Sequence, residues 1–383
     1  MPSREHKIRV AFSVTNCICY DQRVLKIAGV ISKLNCDVEI IGRKRDICCN
    51  SQSVPFRTKR FSMVFRKGFL FYMFFNIRLF IYLLFHKHEI LVANDLDTLL
   101  PCHLVSRIRK IPLVFDSHEY FTGIPEVQNR PFVKYVWKTI EKSILPGLLN
   151  IMTVSNGIAS RYREEYGVLP LIVMNCAISS DHIMPVSRES LGIGQEKLVV
   201  ILQGTGINKG RGGEELIKAA FLAENVFLLI AGSGHALEKM KEMTNELGIS
   251  GRVKYVSTLP WERLMGYTRS ADLGVTLDKD TSLNHQFSLP NKLFDYISAG
   301  AAVITSDLPE IRKIISEFGF GIILDEVTPE NISSALNELD RNRPKLEELR
   351  KNAARASAKL NWENESRKVS EFYMRILKEN GYF

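Results

Sequence analysis

Short, almost unbroken apolar runs alternate with amphipathic stretches along the chain. In the first half, "IRVAFSV" (8–14), "DVEIIG" (37–42), "EILVAND" (89–95), "PLVFDSH" (112–118), "NIMTVS" (150–155) and "PLIVMN" (170–175) predict strands. Runs without polar alternation suit a parallel sheet covered on both faces, because neither side of such a strand meets water. Helical patterns such as 22–34 and 132–147 lie between them, so the order is repeated β-α-β.

The pattern then begins again. "LVVILQG" (198–204), "VFLLIAG" (226–232), "RVKYVS" (252–257), "ADLGVTL" (271–277), "AAVITS" (301–306) and "GFGIIL" (319–324) predict a second set of strands. Helices are expected over 212–223, 235–247, 261–269, 291–299, 309–316 and 329–339, and the polar stretch near 178–196 is the natural linker. A length of 383 residues suits two such domains better than one core. The expected fold class is therefore α/β, two Rossmann-like doubly wound parallel-sheet domains over 1–180 and 181–360 with a cleft between them. Ligands in such sheets bind outside the carboxyl ends of the strands.

One stretch needs separate judgement. Phe69–Phe85 is strongly apolar but is interrupted by Asn76 and Arg78. It falls short of the roughly 20 residues a spanning helix wants, and a central Arg is expensive in lipid. It reads as a helix between two strands, buried on one face, whose aromatic flank and upstream Arg57, Lys59, Arg60, Arg66 and Lys67 fit a membrane surface as well as a plain core helix fits the rest.

Charge sharpens that contrast. Residues 1–180 hold 25 Lys+Arg against 14 Asp+Glu, while 181–383 hold 26 against 28. The basic half points to an anionic partner such as membrane lipid or a lipid-diphosphate acceptor. Nucleic acid is not expected, since no reading module accompanies the charge. The chain opens "MPSREHKIRVAFSV", a charged start running straight into a strand without a signal-peptide pattern. The seven cysteines show no metal-ligand spacing, so reduced thiols and a cytoplasmic location, peripheral to the inner membrane face, are expected.

Candidate chemistry gathers at strand ends of the second half. "GTGINKGRGG" (204–213) offers Gly206 and its neighbours for close backbone approach, with Lys209 and Arg211 as cations beside a helix start. "AGSG" ends the next strand, and Gly232, Ser233 and Gly234 form either a smaller cradle or a tight β-α turn. In "SLPNKLFDYISAG" (288–300), Ser288 is placed to cap a helix with Pro290 in its first turn. Lys292 and Asp295 then share a helical face, either as a surface ion pair or as ligands of a diphosphate and a ribose.

Together "NKGRGGEELIKAA", "AGSG", "VKYVSTLPWERLMGYTRSADLGV" and "SLPNKLFDYISAGAAVITSDLPEI" resemble the donor half of retaining GT-B glycosyltransferases, nearest the family-4 group that builds bacterial surface polysaccharides. "YDQRVLKIAGVISKLNCDVEIIG", "NDLDTLLP" and "VFDSHEYF" resemble that group's acceptor half, and "LNWENESRKVSEFYMRIL" its C-terminal helix, which implies that 361–383 return to the first domain. The resemblance implies Gly206, Lys209, Arg211 and Lys292 on a donor diphosphate. It implies Gly232, Ser233, Gly234, Thr258 and Asp295 on ribose and base. His118 and Glu119 would flank the transferred sugar, with Asp21, Arg23 and Asp97 facing the acceptor. The family's Glu–seven residues–Glu element departs here: Phe287 replaces the first acid and Asp295 shortens the second. His285, Phe287 and Asn291 become the candidates for sugar contact.

The resemblance further implies a nucleotide-diphosphate sugar as co-substrate, no cofactor and no metal, so that "DLD" (95–97) and "DKD" (278–280) are not metal sites. The expected reaction is transfer to a saccharide or lipid-linked saccharide in surface polysaccharide synthesis. A nucleotide-sugar 2-epimerase and a non-catalytic saccharide or nucleotide binder are the alternatives.

Overall fold

The computed structural model describes residues 7–44 and 54–382; Cys48 and Cys49 lie outside them. The chain divides into two compact units, residues 1–174 with 366–383, and residues 175–365.

In the first unit, β1 (Ile8–Ser13), β2 (Cys36–Arg43), β3 (Arg57–Phe61), β4 (Ile90–Asn94), β5 (Leu113–Ser117), β6 (Asn150–Thr153) and β7 (Leu171–Ile172) form one sheet ordered β3-β2-β1-β4-β5-β6-β7. All its pairings are parallel. The helices are α1 (Gln22–Ser32), α2 (Gly68–Phe85), α3 (Leu96–Arg109), α4 (Pro125–Gln128), α5 (Pro131–Ile144) and α6 (Asn156–Tyr166).

The second unit repeats the plan with β8 (Leu198–Gly204), β9 (Val226–Gly232), β10 (Val253–Val256), β11 (Leu273–Thr276), β12 (Ala302–Ser306) and β13 (Gly321–Leu324), ordered β10-β9-β8-β11-β12-β13. Its pairings are also all parallel. Its helices are α7 (Gly213–Leu222), α8 (Leu237–Glu246), α9 (Trp261–Ser270), α10 (Leu283–Phe287), α11 (Asn291–Ser298), α12 (Pro309–Phe318), α13 (Pro329–Arg341) and α14 (Arg343–Lys359). The last helix, α15 (Trp362–Glu379), ends the chain, and its residues from Ser366 onward group with the first unit. There Arg375 donates to Asn150 Oδ1 and the Tyr382 hydroxyl to the Glu89 carbonyl.

The apolar runs become the buried strands. Leu198, Val200 and Leu202 of β8 pack with Leu228 and Ile230 of β9 under α7 and α13. Burying an aliphatic side chain of this kind is worth about 1.5–3 kcal/mol, which is why the central strands carry no polar alternation. In both sheets the strand order reverses beside the first strand, between β1 and β4 and between β8 and β11. The loops after those strands therefore diverge and leave a crevice at their carboxyl ends.

Three features differ from the sequence expectation. β3, "RTKRF", has no apolar run because it is an edge strand, and exposed Arg57 and Lys59 guard that edge against further pairing. The segment 170–175 yields only the two-residue β7. Cys17 and Cys19 are disulfide-bonded, against the expectation of reduced thiols throughout, whereas Cys36, Cys102 and Cys176 are buried and outside any disulfide. Within the apolar segment, Asn76 donates to the carbonyls of Tyr72 and Asp97, so its amide ties α2 to α3.

Candidate functional site

The crevice beside β8 in the second unit is a cavity of about 510 Å³, lined by Gly204, Thr205, Gly206 and Arg211 from the loop after β8 and by Asn291, Lys292 and Asp295 from α11. That volume falls in the range of small-molecule sites. Arg211 and Lys292, 81 positions apart in the chain, are brought together by one carboxylate. Asp278, just past β11, sits 3.4 Å from Arg211 Nη1 through Oδ1 and 3.4 Å from Lys292 Nζ through Oδ2. Its side chain is only 9% exposed. Burial alone would raise the Asp278 pKa, but Lys292 and Arg211 outweigh it and hold the carboxyl below its ordinary value. Two cations against one carboxylate leave a net positive charge around Asp278, with Asp295 as a second carboxylate lining the same cavity. The amino end of α11 adds to it: Pro290, Asn291 and Lys292 line the cavity, no side chain caps that helix, and no acid occupies its first turn. Such a terminus presents unpaired N–H groups and the positive end of the helix dipole.

One turn further along α11, Asp295 is held rather than free to swing. Trp261 Nε1 donates to its Oδ1 at 3.0 Å and Gln203 Nε2 to its Oδ2 at 2.9 Å, while Thr268 donates to Gln203 Oε1 at 2.6 Å. These two bonds fix the Asp295 carboxylate where its residue lines the cavity.

The second glycine turn has a different use from the one expected. Gly232, Ser233 and Gly234 do not line the cavity. Ser233 N donates to the Gly204 carbonyl and Ile207 N to the Ser233 carbonyl, so the turn buttresses the loop after β8. A Cβ on Gly234 would lie 2.1 Å from the Ile207 carbonyl oxygen, and one on Gly232 (φ +139°) 1.8 Å from that of Gly204. Only glycine permits this approach.

Other expected residues are placed away from the cavity. Lys209 and Thr258 are exposed and do not line it. His285 faces Thr281 and the Lys279 carbonyl through Nδ1, and neither it nor Phe287 lines the cavity. Asn291 does, with its Oδ1 accepting from Asn175. Ser288 caps nothing in α11; its hydroxyl donates to the His285 carbonyl. Lys292 pairs with Asp278, across the fold from its own helix.

The first unit carries a second polar cluster at its own strand reversal. His118, after β5, is 3.2 Å from Asp116 Oδ2 through Nε2 and 3.6 Å from Asp95 Oδ2 through Nδ1. Burial opposes its charge, yet Asp95 and Asp116 outweigh burial and push its pKa from 6.5 up to about 10. Asp95 stands in the left-handed region at φ 61°, held there by the His118 N–H on its Oδ1 at 2.8 Å. A non-glycine residue in that conformation is strained and persists only where its surroundings dictate it. Asp97, on α3, accepts from Thr15 Oγ1 at 2.5 Å. Burial raises the Asp97 pKa to about 7; the Thr15 bond opposes that shift and the nearby Glu119 charge adds to it. Glu119 is half-buried beside these groups, and Asp21 accepts from Val24 N as the cap of α1.

Arg23 corrects its expected position. It lies in α1, 2% exposed, with its guanidinium on both oxygens of Asp116 and on the Val173 carbonyl. Losing either partner of such a buried pair costs about 3–5 kcal/mol, because the other charge stays buried. Arg23 is thus a structural support beneath His118, not a ligand group.

The sequence reading passed over Asp278 as a ligand-site residue, along with Gln203, Trp261 and Asp95. Gln203 carried a signal, an amide at the end of an otherwise apolar strand. Asp278 appeared only as half of a discounted "DKD" metal pattern, and nothing local distinguished Asp95 from Asp97.

Two family models match successive parts of the chain, "Glycosyltransferase Family 4" over residues 22–182 and "Glycosyl transferases group 1" over 184–356. A D-inositol 3-phosphate glycosyltransferase of Corynebacterium urealyticum is 26% identical, over 49% of this chain and 45% of the relative. A lipopolysaccharide core biosynthesis glycosyltransferase, LpsD of Rhizobium meliloti, is 26% identical over 43% and 45% respectively. The chain thus matches about half the length of these curated relatives. The crystal structure of Anabaena HepE in complex with UDP and glucose superposes with a TM-score of 0.74 at 15% identity, covering 96% of this chain and 100% of that one, and so shares its fold.

Two outcomes follow from this geometry. Gly234→Ala, which forces the loop after β8 outward, is expected to lower the melting temperature by several degrees, whereas Thr258→Ala leaves it unchanged; thermal unfolding of both variants checks this. The second outcome concerns pH. Between 6.5 and about 10 the unfolded His118 has lost its proton while the folded one keeps it. Its contribution to stability is therefore complete below 6.5 and declines as pH rises toward 10. Asp95 also binds its proton more tightly in the folded chain, burial raising its pKa from 3.8 to about 8 against the pull of His118, so wild type should lose melting temperature more steeply over that window than His118→Gln/Asp95→Asn, and parallel curves would contradict this environment.

Proposed function

From a chain that belongs to the GT-B, family-4-like glycosyltransferases, we propose the transfer of a sugar from a nucleoside-diphosphate sugar to a saccharide or lipid-linked saccharide acceptor. The observation that carries this reading is the convergence of Arg211, Lys292 and the amino end of α11 on one cavity. The donor diphosphate lies on those groups, and Asp295 accepts from the ribose hydroxyls. When the bond between the anomeric carbon and the diphosphate breaks, negative charge grows on the departing oxygen. Fixed cations and N–H groups aimed at that point stabilise the transition state without reorganising.

The first unit supplies the acceptor half. Asp95 and Asp97 are the carboxyl groups suited to an acceptor hydroxyl, and His118, kept charged between carboxylates, orients the sugar, with Glu119 beside it. We favour retention by front-face attack: the acceptor oxygen bonds the anomeric carbon as the diphosphate leaves, and the departing phosphate oxygen takes the acceptor's proton. The second unit holds no carboxylate assigned as a nucleophile, and this route requires none. It also needs no metal, because the cation pair supplies the charge. The likeness to a lipopolysaccharide core biosynthesis glycosyltransferase supports surface-polysaccharide synthesis as the setting.

Arg211→Ala and Lys292→Ala should each lower kcat/KM for sugar transfer about 10²–10³-fold, with folding preserved. The assay follows nucleoside diphosphate release from a panel of sugar nucleotides with and without acceptor. Unchanged turnover in both variants would refute the assigned role. Conversion of donor to its epimer without acceptor would replace transfer by epimerisation.

A further inference from the structure

The helix α2 has two apolar faces and only one of them is used. Phe71, Phe75, Leu79 and Leu83 are buried against the first unit. On the opposite side Leu70, Phe74, Ile77, Ile81 and Phe85 recur at helical spacing and are 41–77% exposed. The neighbouring α3, packed along α2, turns Leu100, Leu104 and Ile108 outward at four-residue spacing, each at least 37% exposed. Soluble proteins seldom leave so many large apolar side chains together in water, and a patch of this kind marks an interaction surface.

Its surroundings indicate the partner. Residues 54–88 contain seven Lys+Arg and no Asp or Glu, and residues 98–111 contain three and none. A second copy of the chain would have to bury this positive charge against itself. A bilayer with anionic headgroups instead accepts the apolar side chains at the acyl boundary and pairs the cations with phosphates.

Crossing the bilayer is a different matter. The inner face of α2 is packed into the sheet, and Asn76 and Arg78 hold their partners within the fold, the carbonyls of Asp97 and Ser62. We propose that the outward faces of α2 and α3 lie flat on an anionic membrane, with the apolar side chains inserted and Lys67 and Lys87 among the headgroup contacts. This surface lies outside the nucleotide cavity, so the inference does not rest on the sugar-transfer reading.

The test is co-sedimentation of the full chain with vesicles of phosphatidylcholine alone and of phosphatidylcholine with 30% phosphatidylglycerol. The expected result is binding to the anionic vesicles at least tenfold tighter than to the neutral ones. Ile77→Gln/Ile81→Gln should weaken it at least tenfold, and Lys67→Glu/Lys87→Glu should weaken it and reduce its salt dependence. Nucleotide binding, measured on the same samples, should stay unchanged in both variants and so reports their folding. Equal partition to both vesicle types, no partition, or variants that bind like wild type would overturn the proposal. So would a concentration-dependent dimer in analytical ultracentrifugation that Ile77→Gln/Ile81→Gln abolishes, since a second copy would then be the occupant.

Discussion

A single buried carboxylate organises the second unit's chemistry. Asp278 stands between Arg211, on the loop after β8, and Lys292, at the start of α11. Without it, two cations on one wall would repel each other, and the longer side chains would turn toward solvent. With it, both are held in the lining of one cavity, and the three-residue group keeps one net positive charge. One of its oxygens, Oδ1, is buried without a hydrogen-bond partner. An imperfectly satisfied carboxylate in a functional crevice is tolerated because the surrounding fold fixes it. The Ser306 hydroxyl holds the Asp278 carbonyl, and Lys279 N bonds the Gly210 carbonyl, locking the ends of β11 and the β8 loop together.

The same topological logic operates twice. Each sheet reverses its order beside its first strand, and each carries its buried polar cluster at that reversal. In the first unit Thr15, after β1, reaches Asp97, after β4, across the reversal. The two clusters differ in sign. The second is built of cations around a carboxylate and suits an anion; the first is built of carboxyl groups around a histidine and suits hydroxyl groups. That division of labour is what a donor-and-acceptor reaction asks of two domains.

Much of the fold was legible because buried parallel strands need long apolar runs, and those runs are visible in β1, β4, β8, β9 and β12 without any partner. The edge strand β3 was not, since its residues answer to solvent and to neighbouring strands rather than to a core. At the site, Arg211, Lys292 and Asp295 could be read from glycine-rich loops and a helix start. What holds them could not. Asp278, Gln203 and Trp261 act through contacts between residues far apart in sequence, and a lone acid at a strand end looks the same whether it faces water or two cations. At Gly232 and Gly234 the residue type left both a cradle and a tight turn open, and the close neighbour in the fold is the loop after β8.

The most direct measurement is a calorimetric series of nucleoside, nucleoside monophosphate and nucleoside diphosphate binding to the wild-type chain, with the base varied. A site built on the Asp278-held cation pair predicts a steep gain at the diphosphate, at least a hundredfold over the nucleoside, weakening as salt rises. A nucleoside that binds as tightly as its diphosphate would contradict the account.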